Sequence, residues 1–470
     1  MGTLKKPVES LTAHVADFVV TAAEADIPSE VADLVKKSIL DSLAVALSGS
    51  VAESATLIRR YLSGLGLGEG PATVFGSGLR LASRFAALAN GTAMHADDFD
   101  DTWQATPDRY QGVHPTAPVL AAVLALAEPA GRSGRDVLTA CLVGVEVGCR
   151  IFDAADPRHI LDGFHSTGTS GMLGAAAGAA RLLGLTTETT RQALSITASQ
   201  TGTLLAQLGT MSKPFHGGLA AECAIVSADL AAMGFTASPV GLETRWGYFQ
   251  ALGGGHDDGR IRGKMGRPWA FADRGVWLKP WPTGSLGHPA LTKMIELITE
   301  HDLSPQQVVG IRVRTSKSIH DTLFHHCPKS ELEAKFSLEF GVATLLLERE
   351  LTLAHFTDAF VNRPDIQATI KRVDYEPFPA TEAEAGDYTL VTSFVEIDLD
   401  DGRAVGGRID YGKGSLANPM SGDEVAEKFR ACAAFADWPR AQTEDAIELV
   451  NRLETIEDVR TLTRCFAASS

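Results

Sequence analysis

Residues Gly171-Met-Leu-Gly-Ala-Ala-Ala-Gly-Ala-Ala180 carry almost no side-chain bulk. A helix built this way lets neighbouring backbones come close, so it suits the centre of a large bundle, buried on most sides. Residues 1 to about 250 read as one helix after another. Ser29 can cap a helix in which Val31, Leu34, Val35, Ile39, Leu43 and Leu47 follow the 3.6 period, and Gly49 is placed to end it. Further helices are predicted over 82–95, 117–129, 135–150, 168–184, 188–205 and 216–234.

The pattern changes between Gly253 and Pro282, a loop-like stretch rich in Gly and Pro. Beyond it, Val308–Thr315 alternates like a strand, and 394–411 reads as a hairpin turning at Asp401-Gly402. Helical runs at 284–300, 331–348 and 354–360 fall between these strands, and helix returns at 423–435 and 442–455. A chain of 470 residues exceeds one ordinary core. The expected fold is therefore mainly α. A large all-α helical bundle domain takes 1–268 plus 413–470, and an inserted, smaller α+β lid domain takes 269–412. No internal repeat is visible.

The net charge of −16 argues against nucleic acid as a partner, because phosphate binding needs a basic face. An anionic substrate must then be drawn in by a local basic pocket, against the overall field. None of the six cysteines forms a C-x-x-C pair, and most sit among apolar neighbours, as free thiols in a reducing compartment do. No apolar run follows Lys5-Lys6 as a signal peptide would require. The longest weakly polar stretch, from Gly168 to Leu185, is too short and too rich in Gly and Ala to span a membrane. A cytoplasmic protein without a membrane partner is expected.

The chemistry concentrates in His95-Ala-Asp97-Asp98-Phe-Asp100-Asp101-Thr102-Trp103. Four carboxylates come directly off a small, apolar, helical segment. Carboxylates packed near apolar surface are costly to keep ionised, so their pKa values move, which is how a fold prepares a general base. The same stretch also reads as a solvated acidic loop. His114 and His165 each stand before a predicted helix start, where backbone N–H groups suit a carboxylate, though each segment also reads as an ordinary turn or capped start. Lys213 precedes Pro214 and a helix; its small neighbours give its stem little packing, which favours anion binding. Lys279-Pro-Trp-Pro-Thr-Gly-Ser285-Leu-Gly-His288 is a rigid loop at the expected domain junction, where ligand sites form.

Two metal sets are conceivable, His95 with Asp97 and Asp98, and His320 with His325, His326 and Cys327. Neither has a standard ligand spacing, so no metal is expected. No G-x-S-x-G elbow is present, which argues against a Ser-His-Asp hydrolase, and without a Gly-Lys-Ser/Thr phosphate loop or a G-x-G-x-x-G after a strand no cofactor is expected. Carboxylate, imidazoles, lysine and a hydroxyl-rich helix start together suit removal of a proton next to a carboxylate, with cations stabilising the developing charge.

The chain resembles the MmgE/PrpD family. The matching segments include Ala89-Asn-Gly-Thr-Ala-Met-His-Ala-Asp-Asp-Phe-Asp-Asp-Thr102, His114-Pro-Thr-Ala-Pro-Val-Leu120, Ser133-Gly-Arg-Asp136, Gly163-Phe-His-Ser-Thr-Gly168, Ser212-Lys-Pro-Phe-His216, Lys279-Pro-Trp-Pro282, Leu332-Glu-Ala-Lys-Phe-Ser337 and the region from Pro419 to Arg430. They run in the family's order from about residue 10 to 455. The resemblance implies an all-α domain with a smaller α+β lid, usually in a homodimer, acting on small di- or tricarboxylic acids without a metal. By the family's motif, Asp98, His114, His165 and Lys213 fall at catalytic positions and Thr102 at a substrate-binding one. Asp98 is the candidate proton-transfer carboxylate, and His216 follows the motif with a role that is structural or catalytic.

Two departures from the commoner pattern bear on the substrate. The segment between Thr102 and His114 is longer than usual and adds Arg109, a candidate replacement cation. The loop 282–288 carries Gly284 and Ser285 where relatives often have Cys or Ala followed by Arg or His. Arg109, Ser285 and His288 are thus the further candidates for substrate binding. The first expectation is a cofactor-free hydro-lyase of the 2-methylcitrate-dehydratase type. A decarboxylase of the cis-aconitate type and an epimerase of the iminodisuccinate type are the alternatives on the same scaffold. A metal-dependent hydrolase and a non-catalytic carboxylate-binding protein stand further off.

Overall fold

A computed structural model describes residues 10–23, 27–104 and 112–468. The chain is mainly helical, with a small mixed sheet in its C-terminal half, as the sequence predicts. Helix Ser170–Leu183 is buried at every position except Arg181 and Leu183. It lies so close to helix Gly134–Ala154 that a Cβ at Gly174 would stand 2.7 Å from the Gly144 carbonyl oxygen and 3.0 Å from the Gly148 Cα. Only glycine leaves room for that approach.

Helices Ser83–Met94 and Ser212–Ala232 form a second close pair. A Cβ at Gly218 would meet the Leu88 carbonyl oxygen at 2.2 Å, and one at Gly91 would meet that of Gly217 at 2.9 Å. Arg84 pairs with Glu222 at 2.5 Å. These contacts make the helices antiparallel, so the end of the first stands beside the start of the second. The residues that follow Met94 thereby meet Lys213 and His216.

Two expected helix signals resolve differently. Ser29 begins helix Ser29–Ser50 rather than capping it; its hydroxyl donates to Glu30 at 3.3 Å. Gly49 lies inside that helix, where a Cβ would stand 1.9 Å from the Ala93 carbonyl oxygen, so it serves packing and not termination. The helix expected over 188–205 ends at Ala198. The run expected over 331–348 is two helices, Glu331–Ala334 and Leu338–Glu348. Between them Lys335 turns inward to the Ala96 carbonyl, and Ser337 caps the second helix by accepting from the Phe340 amide.

Strands β1 (Ala72–Thr73) and β2 (Arg80–Leu81) pair beside the bundle. A three-stranded sheet of order β4-β3-β5 uses β3 (Thr102–Gln104), β4 (Gly112–Val113) and β5 (Val276–Trp277). The larger sheet has the order β7-β6-β8-β9, with β6 (Val308–Thr315), β7 (Val373–Pro377), β8 (Ser393–Leu399) and β9 (Ala404–Ile409). Val313 of β6 lies opposite Tyr375 in the parallel β7 and Val395 in the antiparallel β8. The predicted hairpin is β8-β9, with Gly402 at φ 87° in its turn.

The apolar interior of the described residues forms two clusters. One gathers side chains from Leu11 to Leu278 with Leu353 and those from Met420 to Phe466; the other runs from Trp277 to Leu399. Val425 and Phe429 of helix Gly422–Phe435 return the end of the chain to the first cluster. No helix among the described residues is long and apolar enough to cross a membrane.

Candidate active site

The three-stranded sheet frames one cavity. β3 directly continues the acidic segment, β4 leads into His114, and β5 leads into Lys279. Trp103 lies opposite Val113 on one side, and Thr102 opposite Trp277 on the other. The Trp103 ring is fully buried and its indole N–H donates to the Ala270 carbonyl at 3.1 Å, which holds the sheet against the bundle.

Asp98 stands at the centre with φ 50°, a left-handed conformation that Asp tolerates better than most residues. Its carboxylate accepts from Lys213, lies 3.2 Å from the Lys279 ammonium, and is 3.7 Å from His114 Nε2. Lys279 also donates to the Asp98 backbone carbonyl at 2.7 Å. Burial alone would raise the Asp98 carboxyl. The charges of Lys213, Lys279 and His114 outweigh it and hold the group well below the usual carboxylate range.

Asp100 sits between two imidazoles. It accepts from His95 Nδ1 at 2.9 Å, and His114 Nδ1 is 3.3 Å away. A carboxylate at Nδ1 favours the Nδ1–H tautomer, which leaves His114 Nε2 turned to Asp98. Burial pushes the Asp100 carboxyl up, but His114 and His95 bring it well below its ordinary value. Burial lowers the His114 and His165 imidazoles and brings His95 to about 4. His165 and His216 share a 2.9 Å Nδ1···Nδ1 hydrogen bond, so one imidazole donates while the other accepts. His165 also stacks on His95 with ring centroids 5.9 Å apart.

Asp98, Thr102, His114, His165, Lys213 and Ser285, all expected from the sequence, line the same cavity of about 70 Å³. His288 is buried behind it and bonds to Thr283 at 3.0 Å. Arg109 lies outside the described residues. Lys279, Gln104, Ser166 and Phe336 also line the cavity, although the sequence reading did not assign them to it. The Gln104 amide donates to Ser285 Oγ at 3.1 Å, while Ser166 Oγ donates to the Gly112 carbonyl at 2.6 Å. The motif Lys279-Pro-Trp-Pro was a usable signal for Lys279; Gln104 had none.

The metal sets conceived from the sequence do not assemble as written. Asp97 turns away from Asp98 to accept from Ser48 at 2.7 Å and face Lys335 at 3.5 Å. His326 pairs with Glu339 at 2.7 Å and Cys327 is exposed. Among the described residues, His95, Asp100 and His114 do bring ligand-type atoms within 4.8 Å of one another, where Asp100 already accepts from His95 Nδ1 at 2.9 Å.

Two ammonium groups and one carboxylate make the described lining net positive, inside a chain of net charge −16. Such a pocket attracts a carboxylate locally, with imidazoles at hand for proton transfer. Fold and pocket define a mainly helical protein with a buried cavity lined by carboxylate, imidazole and lysine side chains. The chain belongs to the MmgE/PrpD family: residues 13–260 match the MmgE/PrpD N-terminal domain and residues 281–455 the MmgE/PrpD C-terminal domain. It is 30% identical over 444 residues to cis-aconitate decarboxylase of Homo sapiens, covering 91% of this chain and 88% of that protein. It is 29% identical over 450 residues to the Mus musculus cis-aconitate decarboxylase, covering 93% of this chain and 89% of that protein. It is 27% identical over 484 residues to cis-aconitate decarboxylase of Aspergillus terreus (strain NIH 2624 / FGSC A1156), covering 97% and 96% of the two chains.

Proposed function

We propose that this enzyme is a lyase that decarboxylates a small unsaturated tricarboxylate of the cis-aconitate type. The observation that carries the reading is the convergence of Lys213 and Lys279 on Asp98 in one buried cavity with His114 and His165. Relatives matched over nearly their whole length and named cis-aconitate decarboxylase favour this reaction over the dehydration expected first.

The chemistry balances with the groups present. The bond from the substrate's CH2 to its carboxylate breaks and releases CO2. That electron pair forms the new terminal C=C, and the former double-bond pair moves to the carbon beside the third carboxylate. The resulting dienediolate carries extra negative charge, which Lys213 and Lys279 neutralise without having to reorganise. One proton then adds at that carbon, so a trianion and a proton become a dianion and CO2. His114 and His165 are the proposed proton carriers, since a bound polyanion raises a neighbouring imidazole's pKa. Asp98 holds both lysines until substrate carboxylates draw them away, which frees it to take part in proton transfer. Thr102 and Ser285 supply hydroxyl donors for orientation, and Arg109 is proposed as a further substrate cation.

Proton NMR of the purified protein with cis-aconitate in D2O tests this. The expected product is itaconate carrying one deuterium in its methylene. Turnover of 2-methylcitrate, citrate or iminodisuccinate with none of cis-aconitate would overturn the reading. A homodimer is proposed from the family resemblance and predicts twice the chain mass by light scattering.

A further inference from the structure

Lys428, from helix Gly422–Phe435, is far in sequence from the residues that line the cavity, yet its ammonium donates to the carbonyls of Phe99 and Lys279 beside them. Its side chain is 4% exposed. A lysine has three N–H donors. Here they go to Asp41 Oδ1 at 2.5 Å, the Phe99 carbonyl at 2.7 Å and the Lys279 carbonyl at 2.9 Å. The ammonium also sits 3.7 Å from the centre of the Phe99 ring. Asp41, on helix Ser29–Ser50, is fully buried and supplies the balancing charge.

The two carbonyls belong to the residue after Asp98 and to the residue that grips Asp98. Lys279 in turn donates to the Asp98 carbonyl. Lys428 and Lys279 therefore hold consecutive carbonyls of the acidic segment, and Lys428 holds Lys279 itself. The left-handed turn at Asp98 is closed from behind by this pair of ammonium groups.

We propose that Lys428 is a positioning residue for the reaction: through the Phe99 and Lys279 carbonyls it fixes Asp98 and Lys279 relative to each other. Buried ion pairs often add little net stability, so the Asp41–Lys428 pair alone does not account for the arrangement. Two carbonyls of the segment that carries the acid–base groups are what the lysine adds. The proposal rests on the function argued above only for its kinetic readout.

The test compares Asp41→Asn with the double variant Lys428→Met/Asp41→Asn, which leaves no buried charge unpaired. Asp41→Asn keeps the lysine on its two carbonyls and is expected to retain kcat on cis-aconitate within about threefold. The double variant is expected to lose about 100-fold in kcat with KM little changed, since a misplacement near 1 Å has that effect. Its amide hydrogen exchange is expected to speed up in 96–104 and 277–282, with helices Gly134–Ala154 and Ser170–Leu183 protected as in the parent. Parental kcat and exchange in the double variant would overturn the proposal. So would equal kinetic losses in both variants, or protection lost throughout the chain, because the lysine would then serve the fold as a whole. If the parent does not turn over cis-aconitate, the substrate reading fails, and the exchange comparison alone decides the role of Lys428.

Discussion

Lys279 grips Asp98 twice, donating to its backbone carbonyl at 2.7 Å and facing its carboxylate at 3.2 Å. One side chain thus sets both the turn that carries the carboxylate and the field around it. Lys279→Met removes both effects and leaves Lys213 as the one partner ammonium of Asp98 among the described lining residues. The expected loss in kcat/KM is about 10²–10³-fold, the scale seen when one preorganised donor is removed. Steady-state kinetics on cis-aconitate, with a melting curve to verify folding, would check it; parental kinetics would refute it.

Asp100 lies 3.3 Å from His114 Nδ1 and accepts a hydrogen bond from His95 Nδ1 at 2.9 Å, so its charge faces both imidazoles. Asp100→Asn is nearly isosteric but presents an amide that can favour the other tautomer. We expect kcat to fall by at least about 10²-fold with KM nearly unchanged. A proportional rise in KM would mean that Asp100 acts in binding instead.

Asp101 predicts a pH effect on stability. Burial, and then the charge of Asp41, push its carboxyl from 3.8 up to about 8. A group whose folded pKa is raised stabilises fully below its unfolded pKa, and that contribution is lost as pH rises through the folded pKa. Buried His95 and His216, lowered by burial to about 4, act in the opposite sense and only below about 6.5. The melting temperature is therefore expected to fall between about pH 6.5 and 8, and Asp101→Asn to flatten that slope. An unchanged slope in the variant would sink this assignment.

The close helix pair at the centre makes a stability prediction. Gly174→Val would drive its Cβ to 2.7 Å from the Gly144 carbonyl oxygen and is expected to destabilise by about 3 kcal/mol. Gly422→Ala, which meets nothing within 4 Å, is the neutral control. Denaturant titration of both variants would separate packing from a general intolerance of substitution.

Much of the helical order was legible because it depends on local period and capping. The Ser133–Asp136 segment proves to be a full capping box at the start of helix Gly134–Ala154, and the Asp401-Gly402 turn closes the hairpin as expected. Strands β3, β4 and β5 were not legible, since segments of two or three residues are too short for an alternating pattern. The parallel strand β7 escaped for a related reason: Val373-Asp-Tyr-Glu-Pro377 alternates over only a few residues and ends in proline.

Residue chemistry marked the acidic segment, His114, His165, Lys213 and the loop 279–288, the family resemblance singled out Asp98, Thr102 and Ser285 within them, and the small-residue helices marked the centre of the bundle. Their gathering into one cavity, the direction in which Asp97 turns, and the burial of Lys279 and Lys428 were decided only by the tertiary structure. The physical reason lies in contact across long separations. An ammonium reads as solvent-exposed in sequence unless its acceptors are known, and here those acceptors are backbone carbonyls 181, 329 and 149 positions away. Close glycine packing brings the helix ends together, and only then do charges from separate segments share one low-dielectric pocket.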